Sequence, residues 1–171
     1  RFYYACFRDN VGGSIAFHSI KGNGYVTDIT KARQFTLEEA QHEWEGAREY
    51  DQPISADHVD ALTVDKVDCQ TLPFDSDYSA SAKGYVAFKK GSWMGNDVFW
   101  HFQEGTTLNF KYAMVLSLEE AKALGGNYVV VPYEQANKNK RPTFAMSKLN
   151  RRVMIQGAGL ITPARFKRNN R

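Results

Sequence analysis

Two histidines at matching places in the sequence are the residues whose type best suits chemistry. His18 ends the run IAFH and His101 ends the run VFWH, so each follows three apolar residues. Imidazole can act as an acid or a base near neutral pH, bind a metal ion or contact a ligand. The alternative is a solvent-side strand residue, or a core-edge histidine bonded to a backbone carbonyl. No Asp, Glu or Cys stands at metal-ligand spacing from either, so the sequence favours the alternative and predicts no metal and no cofactor.

Motifs for nucleophilic catalysis and phosphate binding are missing from the sequence. It contains no Gly-x-Ser-x-Gly, no Cys-x-x-Cys and no glycine-rich loop that opens a helix. The run GSWMGN at 91–96 joins two predicted strands, so we interpret it as a hairpin turn that exposes Trp93 for binding. The sequence predicts that the protein is not an enzyme. A small-molecule enzyme at an interface between modules, using His18 and His101, is an alternative.

The elements around the histidines occur twice. FTLEEA at 35–40 and LSLEEA at 116–121 lie 81 positions apart, and YACFR and YVAFK share that offset. IAFH and VFWH are offset by 83, and the register returns to 81 after the next loop. Because a chance similarity would not restore its register, the pattern predicts an internal duplication.

Each copy predicts the same order of elements. Two aromatic and β-branched runs form a hairpin, a third short strand follows, and Thr36 or Ser117 starts a helix with a capping box to Glu39 or Glu120. The helices are predicted at 37–50 and 118–124, and the last strands at 58–68 and 127–133. The predicted fold is α+β. It consists of two β-β-(β)-α-β modules about a pseudo-twofold axis, with antiparallel sheets each covered by one helix, and a basic C-terminal segment.

The composition shift along the chain predicts four regions. The first module is 1–72, a small and polar linker is 73–82, the second module is 83–134, and the basic C-terminal segment is 135–171. Residues 1–134 hold all 19 Asp and Glu and 12 Lys and Arg, for a net charge of −7. Residues 135–171 hold ten Lys and Arg and no acid, for +10.

The basic segment interleaves its charge with apolar residues such as Phe144 and Met154. We expect a short helix or strand at 147–156 with Leu149 and Val153 inward, and a flexible extension at 164–171. Ten cations can neutralise phosphates, and aromatics on open sheet faces can stack bases. The segment can instead dock on the acidic modules of its own chain or of a second subunit in a homo-oligomer.

Composition indicates a globular protein outside the membrane. The 171 residues are 43% hydrophobic and 24% charged, and no apolar run reaches the roughly 18 residues that span a bilayer. The chain begins at Arg1, so we expect an initiator methionine to be missing. Cys6 and Cys69 are expected to be thiols in a reducing compartment, with one disulfide as the alternative.

The stretch from Phe17 to Gln41, FHSIKGNGYVTDITKARQFTLEEAQ, resembles small accessory proteins of bacteriophages, prophages and plasmids. Those proteins share an aromatic strand, a GYTTD-like turn and a Thr-x-Glu-Glu-Ala helix start. The resemblance implies a mobile-element origin and the cytoplasm of a host cell, and it supplies no catalytic residues.

The sequence therefore predicts a non-enzymatic accessory protein that binds nucleic acid or a nucleic-acid-handling host complex. The alternative within interaction proteins is an inhibitor of a host defence protein that acts through the module faces. The candidate binding residues are Lys140, Arg141, Lys148, Arg151, Arg152, Arg165, Lys167, Arg168, Trp93 and Tyr25, with His18 and His101 as candidate ligand contacts.

Overall fold

The protein has an α+β fold with antiparallel sheets, as predicted. A computed structural model describes residues 1–167, except the side chain of Asp9. The chain divides into two compact units. Unit 1 contains residues 1–63 and the described residues from 143 onward, and unit 2 contains residues 64–142. These divisions differ from the predicted boundaries, because the end of the first predicted module belongs to unit 2 and most of the basic segment belongs to unit 1.

The first 63 residues of unit 1 form one sheet and two helices. The elements are β1 (Phe2–Val11), β2 (Ser14–His18), β3 (Tyr25–Val26), β4 (Gln34–Phe35), α1 (Leu37–Gly46), β5 (Asp51–Ser55) and α2 (Ala56–Ala61). The order is β3-β2-β1, and β4 and β5 both pair with β1. Gly12 and Gly13 form the turn from β1 to β2 at φ of 58° and 81°, which glycine adopts without strain.

Unit 2 has a comparable set of elements. They are β6 (Val64–Lys66), β7 (Tyr85–Met94), β8 (Asp97–Phe102), β9 (Gly105–Thr107), α3 (Leu118–Ala123), β10 (Tyr128–Pro132), α4 (Tyr133–Asn139) and β11 (Arg141–Thr143). The main sheet has the order β10-β7-β8-β9, and β11 pairs with β6. Trp100, fully buried, lies at the centre of its core between Phe88 and Phe110. The internal duplication stays a prediction.

Both capping boxes form as predicted. The Thr36 hydroxyl accepts a hydrogen bond from the Glu39 amide, and the Glu39 carboxylate accepts one from the Thr36 amide. Ser117 and Glu120 make the same pair of bonds at the start of α3. Four backbone donors that the helices leave free at their first turns are thereby bonded. Glu39 and Glu120 therefore stabilise the N-termini of α1 and α3.

Two predictions about the first module are wrong. The strand predicted at 58–68 is instead α2 and the short β6, and the strand that follows α1 is β5 at Asp51–Ser55. The Ser55 side chain accepts a hydrogen bond from the His58 amide, so it starts α2 inside the stretch predicted to be extended. The helix predicted to reach residue 50 ends at Gly46, where the Ala47 backbone turns extended.

The basic segment forms part of the unit 1 core. It contains α5 (Arg151–Met154) and α6 (Ala164–Lys167), and Phe144, Met154, Ile155 and Leu160 are buried with the sheet residues. The backbone amide of Ile15 in β2 donates to the carbonyl of Phe144 at 2.8 Å. Leu149 packs against this core, but Val153, predicted to face inward, is 43% exposed because Met154 occupies the inner face of the single turn. Residues 164–167 are helical, and the rest of the predicted extension lies outside the described residues.

Within residues 1–167, no helix combines the length and the apolar character that a membrane crossing requires.

Candidate functional site

Two cations of the predicted binding set are engaged in ion pairs of unit 2. Arg141 Nη1 lies 2.7 Å from Asp97 Oδ1, and the Asp97 side chain is only 1% exposed. Lys140 Nζ lies 4.0 Å from Asp65 Oδ2 at a half-exposed position. Arg141 is therefore tied to a buried carboxylate, and it is a poor candidate for contact with a partner.

Two further cations of the predicted binding set, Arg165 and Arg151, form hydrogen bonds within unit 1. Arg165 Nη2 donates to the backbone carbonyls of Trp44 and Ala47 at the end of α1, and Phe166 stacks on Trp44. A cation at a helix C-terminus bonds carbonyls that the helix leaves free. Arg151 donates to Gln52 Oε1 at 2.7 Å, and its guanidinium lies 4.4 Å from the centre of the Phe7 ring. Both arginines are exposed, but Arg165 bonds two backbone carbonyls, whereas Arg151 bonds a single side-chain oxygen.

Three predicted cations are exposed on the same folded segment. Lys148 ends a 3₁₀ turn at 146–148, Arg152 lies in α5, and Lys167 ends α6. A cleft of about 260 Å³ is lined by Arg151 from α5 and Phe166 from α6. We call Lys148, Arg151, Arg152 and Lys167 the basic surface. Arg168, also predicted, lies outside the described residues.

The exposed Trp93 belongs to a strand. β7 continues through Met94, so the turn to β8 contains only Gly95 and Asn96. Trp93 is 53% exposed and Met94 46% exposed. The predicted turn is too long because it begins at Gly91, and glycine is typical of turns. In the structure Gly91 instead lies within β7, in an irregular part of the β7–β8 pairing.

A polar cleft in unit 1 gathers side chains from four strands. Ala5 pairs with Phe17 in the β1–β2 register, so Tyr4 and His18 lie opposite each other, and their ring centres are 4.8 Å apart. His18 pairs in turn with Tyr25 in β3, at 5.1 Å between rings. Asp51 pairs with Cys6, two residues from Tyr4, so its side chain points to the same face. We call this the His18 cleft.

The centre of the His18 cleft is a buried carboxylate. Asp51 is 4% exposed, and its Oδ2 accepts a hydrogen bond from Arg48 Nε at 2.9 Å. Arg48 also donates to the Tyr25 hydroxyl, which fixes that ring beside His18. The other oxygen, Oδ1, lies 3.6 Å from His18 Nε2, too far for a hydrogen bond.

The titration of these groups is set by burial and by Asp51. Burial lowers the pKa of His18, although the nearby Asp51 carboxylate acts in the opposite direction. Burial, followed by the charge of Asp51, raises the pKa of Tyr4 well above its usual value. The hydrogen bonds to Asp51 and Tyr25 raise the pKa of Arg48. Near neutral pH the cleft thus contains a neutral imidazole and a neutral phenol beside a fixed ion pair.

Three buried polar atoms of the His18 cleft lack hydrogen-bond partners among the residues that the structure describes. They are the Tyr4 hydroxyl, His18 Nε2 and Asp51 Oδ1. Such an atom costs about 1–3 kcal/mol when nothing bonds to it, and most buried polar atoms are bonded in native proteins. Their concentration at one cleft marks it as a candidate ligand site.

His101, which the sequence matched with His18, has different surroundings. It lies in unit 2 with its ring 5.3 Å from that of Tyr128, and its Nδ1 is buried without a hydrogen-bond partner in the described part of the chain. Its carbonyl accepts from the Met114 amide. Each histidine thus belongs to its own unit with its own neighbours, and a joint His18–His101 site stays a prediction.

Sequence reasoning missed Asp51, Arg48 and Tyr4. The strand register could have identified Asp51. A strand at 51–55 paired with β1 places Asp51 on the same face of the sheet as His18. With the strand placed at 58–68, that signal was lost. Arg48 and Tyr4 carry no local signal, because an arginine after a helix and a tyrosine in an aromatic strand are common.

Groups of three His, Cys, Asp or Glu side chains that could hold a metal ion do not occur within the described residues. Cys6 is a buried thiol and Cys69 a half-buried one, and neither forms a disulfide within the described residues. Comparison with protein-family models, curated proteins and solved structures found no match to the chain.

Proposed function

We propose that the protein binds nucleic acid, or a host complex that handles nucleic acid, through the basic surface of Lys148, Arg151, Arg152 and Lys167. The observation that carries the proposal is the exposure of these four cations on a segment that is anchored in a core and contains no acid. Cations in fixed positions lose little conformational freedom when they meet phosphates, and phosphate contacts dominate the affinity of such complexes.

The charge of unit 1 supports a moderate attraction for polyanions. Residues 1–63 contain 6 Lys and Arg and 10 Asp and Glu, whereas residues 143–171 contain 7 Lys and Arg and no acid, so the two parts together have a net charge of +3. Unit 2 contains nine residues of each sign and is neutral. Folding thus combines acidic and basic parts of the sequence, so that each unit has a small net charge. The attraction for a polyanion therefore depends on the local charge of the basic surface.

Aromatic rings at the basic surface suit an unpaired base. The Phe7 ring lies under the Arg151 guanidinium, and Phe166 lines the cleft beside Arg151. Bases stack on aromatic rings and on guanidinium planes, and this contact tolerates different sequences. We therefore favour single-stranded nucleic acid over a duplex.

The proposed setting follows the resemblance of residues 17–41 to accessory proteins of phages and plasmids. In that setting the partner is present in the cytoplasm of the host cell, and the function needs no catalytic step.

The test is fluorescence anisotropy with labelled single-stranded and duplex oligonucleotides over a series of salt concentrations. Four phosphate contacts predict a slope of about −3 in the plot of log affinity against log salt. The double variant Lys148→Glu/Arg152→Glu is expected to weaken binding at least about tenfold and to reduce the slope by about 2. Lys21→Glu/Lys31→Glu, the same double charge reversal at two other exposed sites of unit 1, is the matched control.

Deletion of the segment is not a suitable test, since it removes Phe144, Met154, Ile155 and Leu160 from the core. Equal affinities for the double variant, the control and the wild type would overturn the proposal.

Protein binding through Trp93 is the second candidate function. Trp93 is a large aromatic side chain, about half exposed near the end of β7, and such a side chain fits the anchor of a protein interface. A pull-down from host lysate with and without nuclease separates the candidates. A protein captured after nuclease treatment and lost with Trp93→Ala would favour this second function.

A further inference from the structure

The His18 cleft has the form of a site for a small ligand. It has two lobes of about 310 and 280 Å³, and both are lined by Tyr4, His18 and Glu43. Lobes of this size fall at the lower end of the range of ligand pockets, so each can hold one ring and both together a ring with a substituent. The lobes share the side chains that carry two of the three unbonded polar atoms.

Tyr4 provides the strongest evidence for a bound ligand. Its side chain is 3% exposed, its hydroxyl has no hydrogen-bond partner among the described residues, and it lines both lobes. The Asp51 oxygen that faces His18 is likewise buried and unbonded. One hydrogen-bond donor, the Tyr4 hydroxyl, and one acceptor, Asp51 Oδ1, therefore have no partner among the described residues at this cleft.

The charges around the cleft select against an ionic ligand. Arg33 and Arg48 are balanced by Glu43 and Asp51, and the arginine closest to the centre already binds Asp51. Neither a free phosphate nor a cation would find excess opposite charge.

Aromatic rings form much of the remaining wall. His18 lies between Tyr4 and Tyr25, and Phe35 lines the second lobe with the Arg33 guanidinium 4.8 Å from its ring centre. Rings of this kind pack well against a flat heterocycle.

We propose that the His18 cleft binds a nucleobase, free or as a nucleoside. The base is neutral and planar, and its edge carries adjacent hydrogen-bond donors and acceptors. One of its acceptors accepts a hydrogen bond from the Tyr4 hydroxyl, and one of its donors donates a hydrogen bond to Asp51 Oδ1. The sugar occupies the second lobe between Tyr25 and Arg33. This site is independent of the basic surface.

The experiment is a titration of the full chain with adenosine, guanosine, cytidine and uridine, followed by calorimetry, with ribose and ATP as comparisons. At least one nucleoside is expected to bind saturably at millimolar concentration or below, more tightly than ATP, and ribose is expected not to bind. Tyr4→Phe is expected to weaken the binding about tenfold, because it removes only the unbonded hydroxyl.

Tyr3→Phe is the matched control, since it makes the same change at the next residue, whose hydroxyl donates to Asp60 instead. It is expected to leave nucleoside affinity unchanged, as is Arg152→Glu in the basic surface. Absence of saturable binding by all four nucleosides, or an equal loss in the two tyrosine variants, would overturn the site. The oligonucleotide assay with Lys148→Glu/Arg152→Glu tests the basic surface, and its outcome does not depend on the nucleoside titration.

Discussion

Arg141 Nη1 lies 2.7 Å from Asp97 Oδ1, and this ion pair is enclosed in unit 2 beside the buried Lys66. Burial lowers the pKa of Lys66, the charge of Asp97 acts against that change, and the charge of Arg141 adds to it. Two cations therefore share one carboxylate inside the unit. The arrangement is structural, and it explains why Arg141 is unsuited to contact with a partner.

Breaking this pair should destabilise the protein strongly. Arg141→Met leaves the buried Asp97 carboxylate without the cation paired with it, so we expect a loss of about 3–5 kcal/mol in the free energy of unfolding. Urea denaturation measures it. Lys140→Met, which removes the half-exposed pair with Asp65, is the control and should cost less than about 1 kcal/mol. Similar losses in both variants would contradict the structural role of Arg141.

The two capping boxes should contribute similar stability at their two sites. Thr36→Ala and Ser117→Ala each remove a hydroxyl that accepts from the amide three residues later, at a cost of about 1 kcal/mol each. Glu38→Gln changes an exposed first-turn carboxylate outside the box and serves as the control. A larger loss in the control than in Thr36→Ala would argue against the box. The free energies come from urea titrations of the three variants.

The capping boxes were predictable because all their information is local. A hydroxyl, a glutamate three residues later and an apolar stripe specify the helix start without knowledge of the rest of the chain. The hairpins were predictable for the same reason, because turn residues separate runs of aromatic and β-branched residues.

β5 was not predictable from its own residues. Its sequence, DQPIS, has three polar residues and Pro53, whereas the stretch that follows is richer in β-branched residues. The strand pairs with β1 alone, so an edge position tolerates the missing amide of Pro53. Because this strand was missed, its first residue, Asp51, and the His18 cleft around it were missed as well.

The duplication hypothesis gains a further pattern to test. Ile15 donates to the Phe144 carbonyl in unit 1, and the matching Val98 donates to the Val67 carbonyl in unit 2. Val67 lies near the end of the first predicted module, and Phe144 follows the second predicted module. Each therefore bonds the second strand of the unit that holds most of the other module. If the hypothesis is right, residues 143–160 correspond to residues 66–83, and the basic segment is the second copy of the segment before β7.

The basic segment should therefore be needed for folding. Phe144 is fully buried in unit 1, so Phe144→Ala should lower the free energy of unfolding by about 3–5 kcal/mol. Val153→Ala, at an exposed position of the same segment, should change it by less than about 0.5 kcal/mol. Thermal and urea unfolding give the two values. Comparable small effects would indicate that the segment is a separate tail.

A glycine before β7 is held at a close approach of two backbones. Gly84 has φ of 104°, and a Cβ built there lies 2.6 Å from the Leu116 carbonyl oxygen, to which the Tyr85 amide also donates. Gly84→Ala should therefore cost more than the roughly 1–3 kcal/mol of a strained backbone alone. Gly91→Ala, at φ of 68° with open space around it, isolates the backbone cost. Urea denaturation compares them, and equal losses would exclude the steric contribution.

His18 should make the stability of the protein depend on pH below its ordinary pKa of 6.5. Its pKa is lowered in the folded state, so in mild acid the unfolded chain binds a proton that the folded chain does not. Stability is thus fully present above pH 6.5 and decreases as the pH falls from there towards the folded-state pKa. The groups that face the imidazole are Asp51, Arg48, Tyr4, Tyr25 and Glu43.

The measurement is the free energy of unfolding between about pH 7.5 and pH 5 for the wild type, His18→Gln and His42→Gln. His18→Gln should have a shallower decrease on acidification than the wild type, because the variant has no imidazole to protonate on unfolding. His42 is exposed on α1, so its replacement should leave the profile of the wild type unchanged. Parallel profiles for all three proteins would show that burial of His18 does not control its protonation. In that case the Asp51 charge offsets burial, and the pKa of His18 is the same in the folded and the unfolded chain. A steeper decrease in His18→Gln than in the wild type would instead show that Asp51 outweighs burial.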